Sequence, residues 1–142
     1  MMMDDLRANI VAEARRWIGV RFRHAGRTRS GVDCVGFIWA VLGKFLPMDT
    51  LPTDYGRRPT GGYAYSQMSR YAERIKREDA GPGDVVQMCY ANHPVHFGIL
   101  TNGGVIHAAA FCRKVVEHSL ATNGGGRAVA YWRMNGVPPW HN

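Results

Sequence analysis

Gly31-Val32-Asp33-Cys34-Val35-Gly36-Phe37-Ile38-Trp39-Ala40-Val41-Leu42 is the stretch on which the fold turns. A cysteine follows an aspartate and opens an apolar run. Val35, Ile38, Trp39, Leu42 and Phe45 recur at helical spacing, so the run reads as a buried helix extending to about Leu46. Asp33 can cap its first turn through a side-chain oxygen. Gly36 is a poor helix residue, costing about 1 kcal/mol against Ala, unless another backbone packs closely there. Two readings of Cys34 stand at this point. It is either a small core residue or a nucleophile whose thiolate is favoured by the amides and positive dipole end of the helix.

Composition narrows the class of protein. The chain has 142 residues, 46% hydrophobic and 20% charged. That is the mix of a globular chain able to bury a core, and it is expected to form one domain over 1–142, with a core at about 6–134 and a short C-terminal tail. The formal charge of +7 favours an anionic partner without choosing one. No nucleic-acid-binding motif accompanies it, so no nucleic-acid partner is expected. Three cysteines, an odd count, do not form a disulfide framework. Cys89 and Cys112 default to core residues. Neither belongs to a paired-cysteine metal spacing, so no metal or cofactor is expected. The Met1–Leu6 start has no basic region before an apolar run, and no stretch is long enough to span a membrane. The expectation is a protein made in a cytoplasm without a signal peptide.

Three helices are expected before the strands begin. Leu6 to Ile18 is amphipathic: Leu6, Ile10, Ala14, Trp17 and Ile18 form a stripe, with Asp4 or Asp5 as cap and Gly19 as terminator. Arg21 to Gly31 is a basic loop that is either solvated or a wall facing a ligand. The Cys34 helix is stopped by Pro47. Pro47 to Gly62 is irregular. Tyr65 to Arg77 reads as a third helix on Met68, Tyr71, Ala72 and Ile75. From Gly81 the period changes to that of strands, at 84–88, 97–100, 105–108, 114–118 and 128–132, the last after a loop with Gly124, Gly125 and Gly126. Hairpin-length connections such as Thr101-Asn102-Gly103-Gly104 imply antiparallel pairing. Helices followed by strands imply an α+β fold, with N-terminal helices packed on a five- to six-stranded antiparallel sheet.

A cysteine nucleophile needs a base within hydrogen-bond reach, and the base needs an orienting group. Six histidines are available. His96 begins one strand and His107 lies on the next across a short hairpin, so the two can touch. His93 belongs at the rim, His118 near a strand end facing solvent, and His141 in the tail.

These residues carry a resemblance. Asp33-Cys34-Val35-Gly36-Phe37, His96-Phe97-Gly98-Ile99-Leu100 and Val105-Ile106-His107-Ala108 are similar to the NlpC family of papain-like cell-wall peptidases. The resemblance runs from about Trp17 to Trp132. It implies a papain-like core, with Cys34 as nucleophile, His96 as general base and His107 orienting it. It also implies a substrate wall with Phe22, His24 and Asp33. The implied substrate is the peptide stem of peptidoglycan, at a bond beside D-glutamate and a diamino acid. A narrower resemblance is to the single-domain members encoded with phage tail genes. It rests on 17–24, Asp54-Tyr55-Gly56-Arg57, Gly83-Asp84-Val85-Val86 and Val115-Val116-Glu117-His118. It implies other tail proteins as partners and a tail-borne enzyme acting at the wall. Three residues depart from the pattern: Val35 stands where Ser is usual, Phe22 where Tyr often places a hydroxyl near the thiol, and Arg21 where Pro is common. The alternative implied by Phe22 is a structural tail-tip or tail-assembly protein with a weak or inactive site.

Overall fold

The computed structural model describes residues 3–48, 66–90, 93–120 and 127–140. The Asp54–Arg57 match, most of the Pro47–Gly62 stretch, the Gly124–Gly126 loop and His141 lie outside the described residues. Helix α1 spans Met3–Arg15, and a short ribbon pairs β1 (Arg27–Thr28) with β2 (Gly31–Val32). Helix α2 spans Cys34–Leu42. The strands are β3 (Ala72–Ile75), β4 (Val85–Tyr90), β5 (His93–Leu100), β6 (Gly104–Ala109), β7 (Lys114–Ser119) and β8 (Arg127–Met134). These six form one sheet, ordered β3-β8-β4-β5-β6-β7, and every neighbouring pair is antiparallel. The α+β architecture is the one expected.

Strand alternation divides the core between the two faces of the sheet. Val85, Phe97, Ile99, Ile106, Ala108 and Val115 join Ile10, Phe37, Ile38, Val41 and Leu42 of the helices in the larger cluster. Val86, Met88, Leu100 and Val105 build a smaller one. Helix α2 packs across β5 and β6, the strands that carry His96 and His107.

Two expectations fail locally. The third helix, read over Tyr65 to Arg77, is helical only at 66–69 among the described residues. Ala72–Ile75 is instead an edge strand, with Ala72 opposite Met134 and Ile75 opposite Tyr131. The outer edge of β8 offers a row of unpaired backbone groups. Satisfying them outweighs the weak helical preference of Ala-Glu-Arg-Ile. At the N-terminus, α1 already begins at Met3, so Asp4 and Asp5 lie inside its first turn. It ends at Arg15. The turn that follows rotates Ile18 outward, 45% exposed, while Ile10, Ala14 and Trp17 stay buried.

Gly36 marks a close backbone approach. An ideal Cβ there would lie 2.0 Å from the Gly26 carbonyl oxygen, so the β1–β2 ribbon can sit against α2 only without a side chain. Alanine at 36 gains helix propensity but meets backbone that cannot rotate away. Gly36→Ala is therefore expected to lower stability by about 1–3 kcal/mol, as overpacking does. The check is the urea midpoint; an unchanged or higher midpoint would show that the ribbon yields freely.

Candidate active site

Asp33 fixes the start of α2 from both sides. Its Oδ1 accepts the Gly36 amide at 2.7 Å, its Oδ2 accepts the Ala25 amide at 2.8 Å, and its carbonyl accepts the Phe37 amide at 2.9 Å. The cap expected from the sequence is present, and it also ties the basic loop to the helix. This buried carboxylate holds the turn before Cys34 in place through the two amides.

Cys34 is the first residue of α2 and is half-buried. Burial, and then the charge of Asp33, push its thiol up to about 12, against the opposing backbone amides of Phe97, Val35 and Cys34 itself. This corrects the expected lowering. The carboxylate that caps the helix also places a negative charge beside the sulfur, and it offsets the helix dipole. The resting group is a neutral thiol. The Phe97 amide acting on the sulfur puts Cys34 against β5, one residue from His96.

His96 and His107 meet as the hairpin predicts. His96 Nε2 lies 2.6 Å from His107 Nδ1, with the rings edge to face at 80°. Both are buried, His107 completely. Leu100 pairs with Val105, and alternation along the two strands carries His96 and His107 to the same face. Gly98, midway between His96 and Leu100, makes room for the pair: a Cβ there would lie 2.4 Å from Val105 Cγ2 and 3.2 Å from His107 Cβ.

His118 was missed as a site residue. It does not face solvent freely: its Nδ1 lies 3.0 Å from His107 Nε2. Val105 pairs with His118, and His107 with Val116, so His107 and His118 are diagonal neighbours on one face, within reach of long side chains. The strand register, which single-strand reading does not supply, is the signal that would have found it. The imidazoles bond to one another rather than converging on a point. Among the described residues no group of His, Cys, Asp or Glu is disposed to hold a metal ion.

Burial, with the neighbouring His118 charge adding to it, holds the His107 imidazole down to about 4, against about 6.5 in an unfolded chain. Between those values unfolding takes up a proton, so stability falls as pH falls through this window, by up to about 3 kcal/mol from this group. Urea unfolding at pH 7 and pH 4.5 is expected to show a smaller loss in His107→Asn than in wild type. Equal losses in the two proteins would refute the buried neutral imidazole.

The Phe22 amide donates to the Arg113 carbonyl at 2.8 Å, and the residue bridges to Val32, with its ring half-buried against the main core. His24 is half-buried beside Ala25, whose φ is +58°. Arg29 lies 4.4 Å over the Trp17 ring and donates to the Arg16 carbonyl at 2.8 Å, so this arginine anchors the loop to the end of α1. Arg21 and Arg23 are exposed. The backbone of His93 opens β5. Cys89 and Cys112 are half-buried free thiols rather than core residues.

A half-buried cysteine opening a helix that packs on an antiparallel sheet, with paired imidazoles carried on that sheet, is the arrangement of a papain-like α+β domain. The family model described as NlpC/P60 family matches residues 19–132, and the chain belongs to that family. It is 34% identical over 105 residues to the probable peptidoglycan endopeptidase LytE of Bacillus subtilis (strain 168), covering 72% of this chain and 27% of that protein. It is 26% identical over 106 residues to the murein DD-endopeptidase MepS/murein LD-carboxypeptidase of Escherichia coli (strain K12), covering 74% of this chain and 50% of that one. The chain thus spans about a quarter and half of the lengths of these relatives. The crystal structure of the NlpC/p60 domain of the peptidoglycan hydrolase SagA superposes with a TM-score of 0.65 at 26% identity, over 90% of this chain and 98% of that one.

Proposed function

We propose that this chain is a cysteine endopeptidase that cleaves the peptide stems of peptidoglycan, with Cys34 as nucleophile, His96 as general base and His107 as the group that orients it. The observation that carries the reading is the 2.6 Å His96–His107 pair on the strand whose Phe97 amide acts on the Cys34 sulfur. The names of the relatives point to the same substrate.

His96 Nε2 faces His107 Nδ1, and in this reading His96 Nδ1 takes the thiol proton. The sulfur then attacks the amide carbonyl, and the Cys34 amide stabilises the oxyanion, a contact worth roughly 3 kcal/mol in comparable sites. His96 returns the proton to the leaving amine, and water hydrolyses the acyl-enzyme. Phe22 and His24 form part of the substrate wall. The bond beside D-glutamate and a diamino acid is the expected one, and the +7 charge draws the enzyme to an anionic wall. Association with phage tail proteins rests on the short matches around Trp17–His24, Gly83–Val86 and Val115–His118. Among the described residues no helix is long and apolar enough to cross a membrane.

Mass spectrometry of purified muropeptides, with either meso-diaminopimelate or lysine at the third position, tests this. A new stem fragment is expected and identifies the bond. No fragment from folded protein on either wall type would favour a structural tail protein. Phe22, with no hydroxyl to offer the thiol, is the residue that favours this second reading.

A further inference from the structure

We propose that His118 is a positioning residue that sets the tautomer of His107, extending the imidazole pair into a directional chain of three. The proposal rests on the reading of His96 as base and assigns the residue that keeps that base ready.

A neutral imidazole has one N–H and one acceptor nitrogen. His107 is completely buried, and its depressed basicity keeps it neutral near pH 7. Its Nδ1 faces His96 at 2.6 Å and its Nε2 faces His118 at 3.0 Å. The two bonds must therefore run in opposite senses: if His107 accepts from one neighbour, it donates to the other. Once His96 has taken a proton, both of its nitrogens are donors, and its Nε2–H needs an acceptor at His107 Nδ1. That places the His107 proton on Nε2, where it needs an acceptor of its own. His118 Nδ1 is that acceptor. In the opposite tautomer, two N–H groups would confront each other across 2.6 Å, and the His96 imidazolium would be opposed.

Phe111 gives the arrangement a second support. It is 54% exposed, an unusual position for a large apolar side chain, yet its ring centroid lies 6.2 Å from that of His107 and 6.3 Å from that of His118, nearly parallel to the latter at 19°. Its ring thus lies close to both members of the His107–His118 bond. His118 remains distant from the reacting atoms and acts only through His107.

The test uses the full chain labelled with nitrogen-15 and reads imidazole nitrogen shifts at pH 7 in wild type, His118→Gln and His118→Leu. His107 is expected as the Nε2–H form in wild type and in His118→Gln, whose amide oxygen can accept. In His118→Leu that fixed tautomer is expected to be lost. Iodoacetamide labelling at Cys34, followed by peptide mass spectrometry, is expected to be near wild type in His118→Gln. In His118→Leu it should slow about tenfold, as for one lost buried hydrogen bond, with an unchanged melting temperature. An Nδ1–H form of His107 in wild type overturns the proposal, and so does a His118→Leu protein with unaltered tautomer and labelling rate. Should His118→Leu fail to fold, the wild-type and His118→Gln tautomers decide alone. Muropeptide cleavage is measured separately: its absence alongside the expected tautomer would overturn the hydrolase reading and leave the histidine chain standing.

Discussion

Cys34→Ala is expected to lower muropeptide cleavage by at least about 10⁴-fold, since loss of the nucleophile removes nearly all covalent catalysis. The fold should survive, because the helix start is held by Asp33 through Gly36 and Ala25. Far-UV circular dichroism and the melting temperature should therefore stay close to wild type. His96→Ala is expected to be almost as damaging. With the thiol pushed up to about 12, little unassisted thiolate stands at pH 7. A site that depended on the helix dipole alone would hold too little nucleophile; one that hands the proton to His96 does not need a standing thiolate. If His96→Ala cleaved as fast as wild type, the thiol would be ionised by other means and the assignment of the base would fall. If Cys34→Ala cleaved as fast, the whole covalent mechanism would fall.

What could be read from the chain follows the range of the forces involved. Asp33, Cys34 and the apolar positions of α2 act within one helical turn, so spacing alone exposes the capped helix and its cysteine. Gly36 was legible as a close contact, though its partner Gly26 was not. His96 and His107 became legible because a short turn, with Gly103 at φ +86°, joins their strands. His118 needed the β6–β7 register, and no residue of β7 announces it. Ala72–Ile75 was misread because Met68, Tyr71, Ala72 and Ile75 satisfy a helical period, while the demand that overrides it comes from β8, more than fifty residues later. The lowered thiol was expected from the helix terminus and from a protonated His96; the opposing charge of Asp33 came with the very cap that made the helix recognisable. The ion cluster around Asp84 lies furthest from local reading, since α1 and two strands must meet before its charges can pair.

That cluster yields the largest expected change in stability. Asp84 is completely buried, and Arg7 and Arg133 are nearly so. Arg7 Nη1 lies 3.1 Å and Arg133 Nη2 3.3 Å from Asp84 Oδ2, which also accepts the Gly81 amide at 2.9 Å. Arg7 further donates to the carbonyls of Pro82 at 2.8 Å and Pro138 at 2.5 Å, and Arg133 to the carbonyl of Asp79 at 2.7 Å. One carboxylate thus joins α1, the turn before β4, strand β8 and the C-terminal segment. A buried ion pair is not by itself strongly stabilising, because desolvation offsets most of the attraction. Removing a single partner is a different matter: Asp84→Ala leaves two guanidinium groups buried against carbonyl dipoles without a countercharge. The expected loss is about 3–5 kcal/mol, a fall in melting temperature of about 10 °C or more for a chain of this size. Asp84→Asn keeps the shape and removes the charge, so it should lose nearly as much, whereas Glu73→Ala on the exposed edge strand should change little. Differential scanning calorimetry of the three variants distinguishes charge from packing. A melting temperature within 2 °C of wild type for Asp84→Asn would mean that the arginines are held by the carbonyls alone. In that case Asp84 serves the Gly81 turn rather than the charge balance of the core.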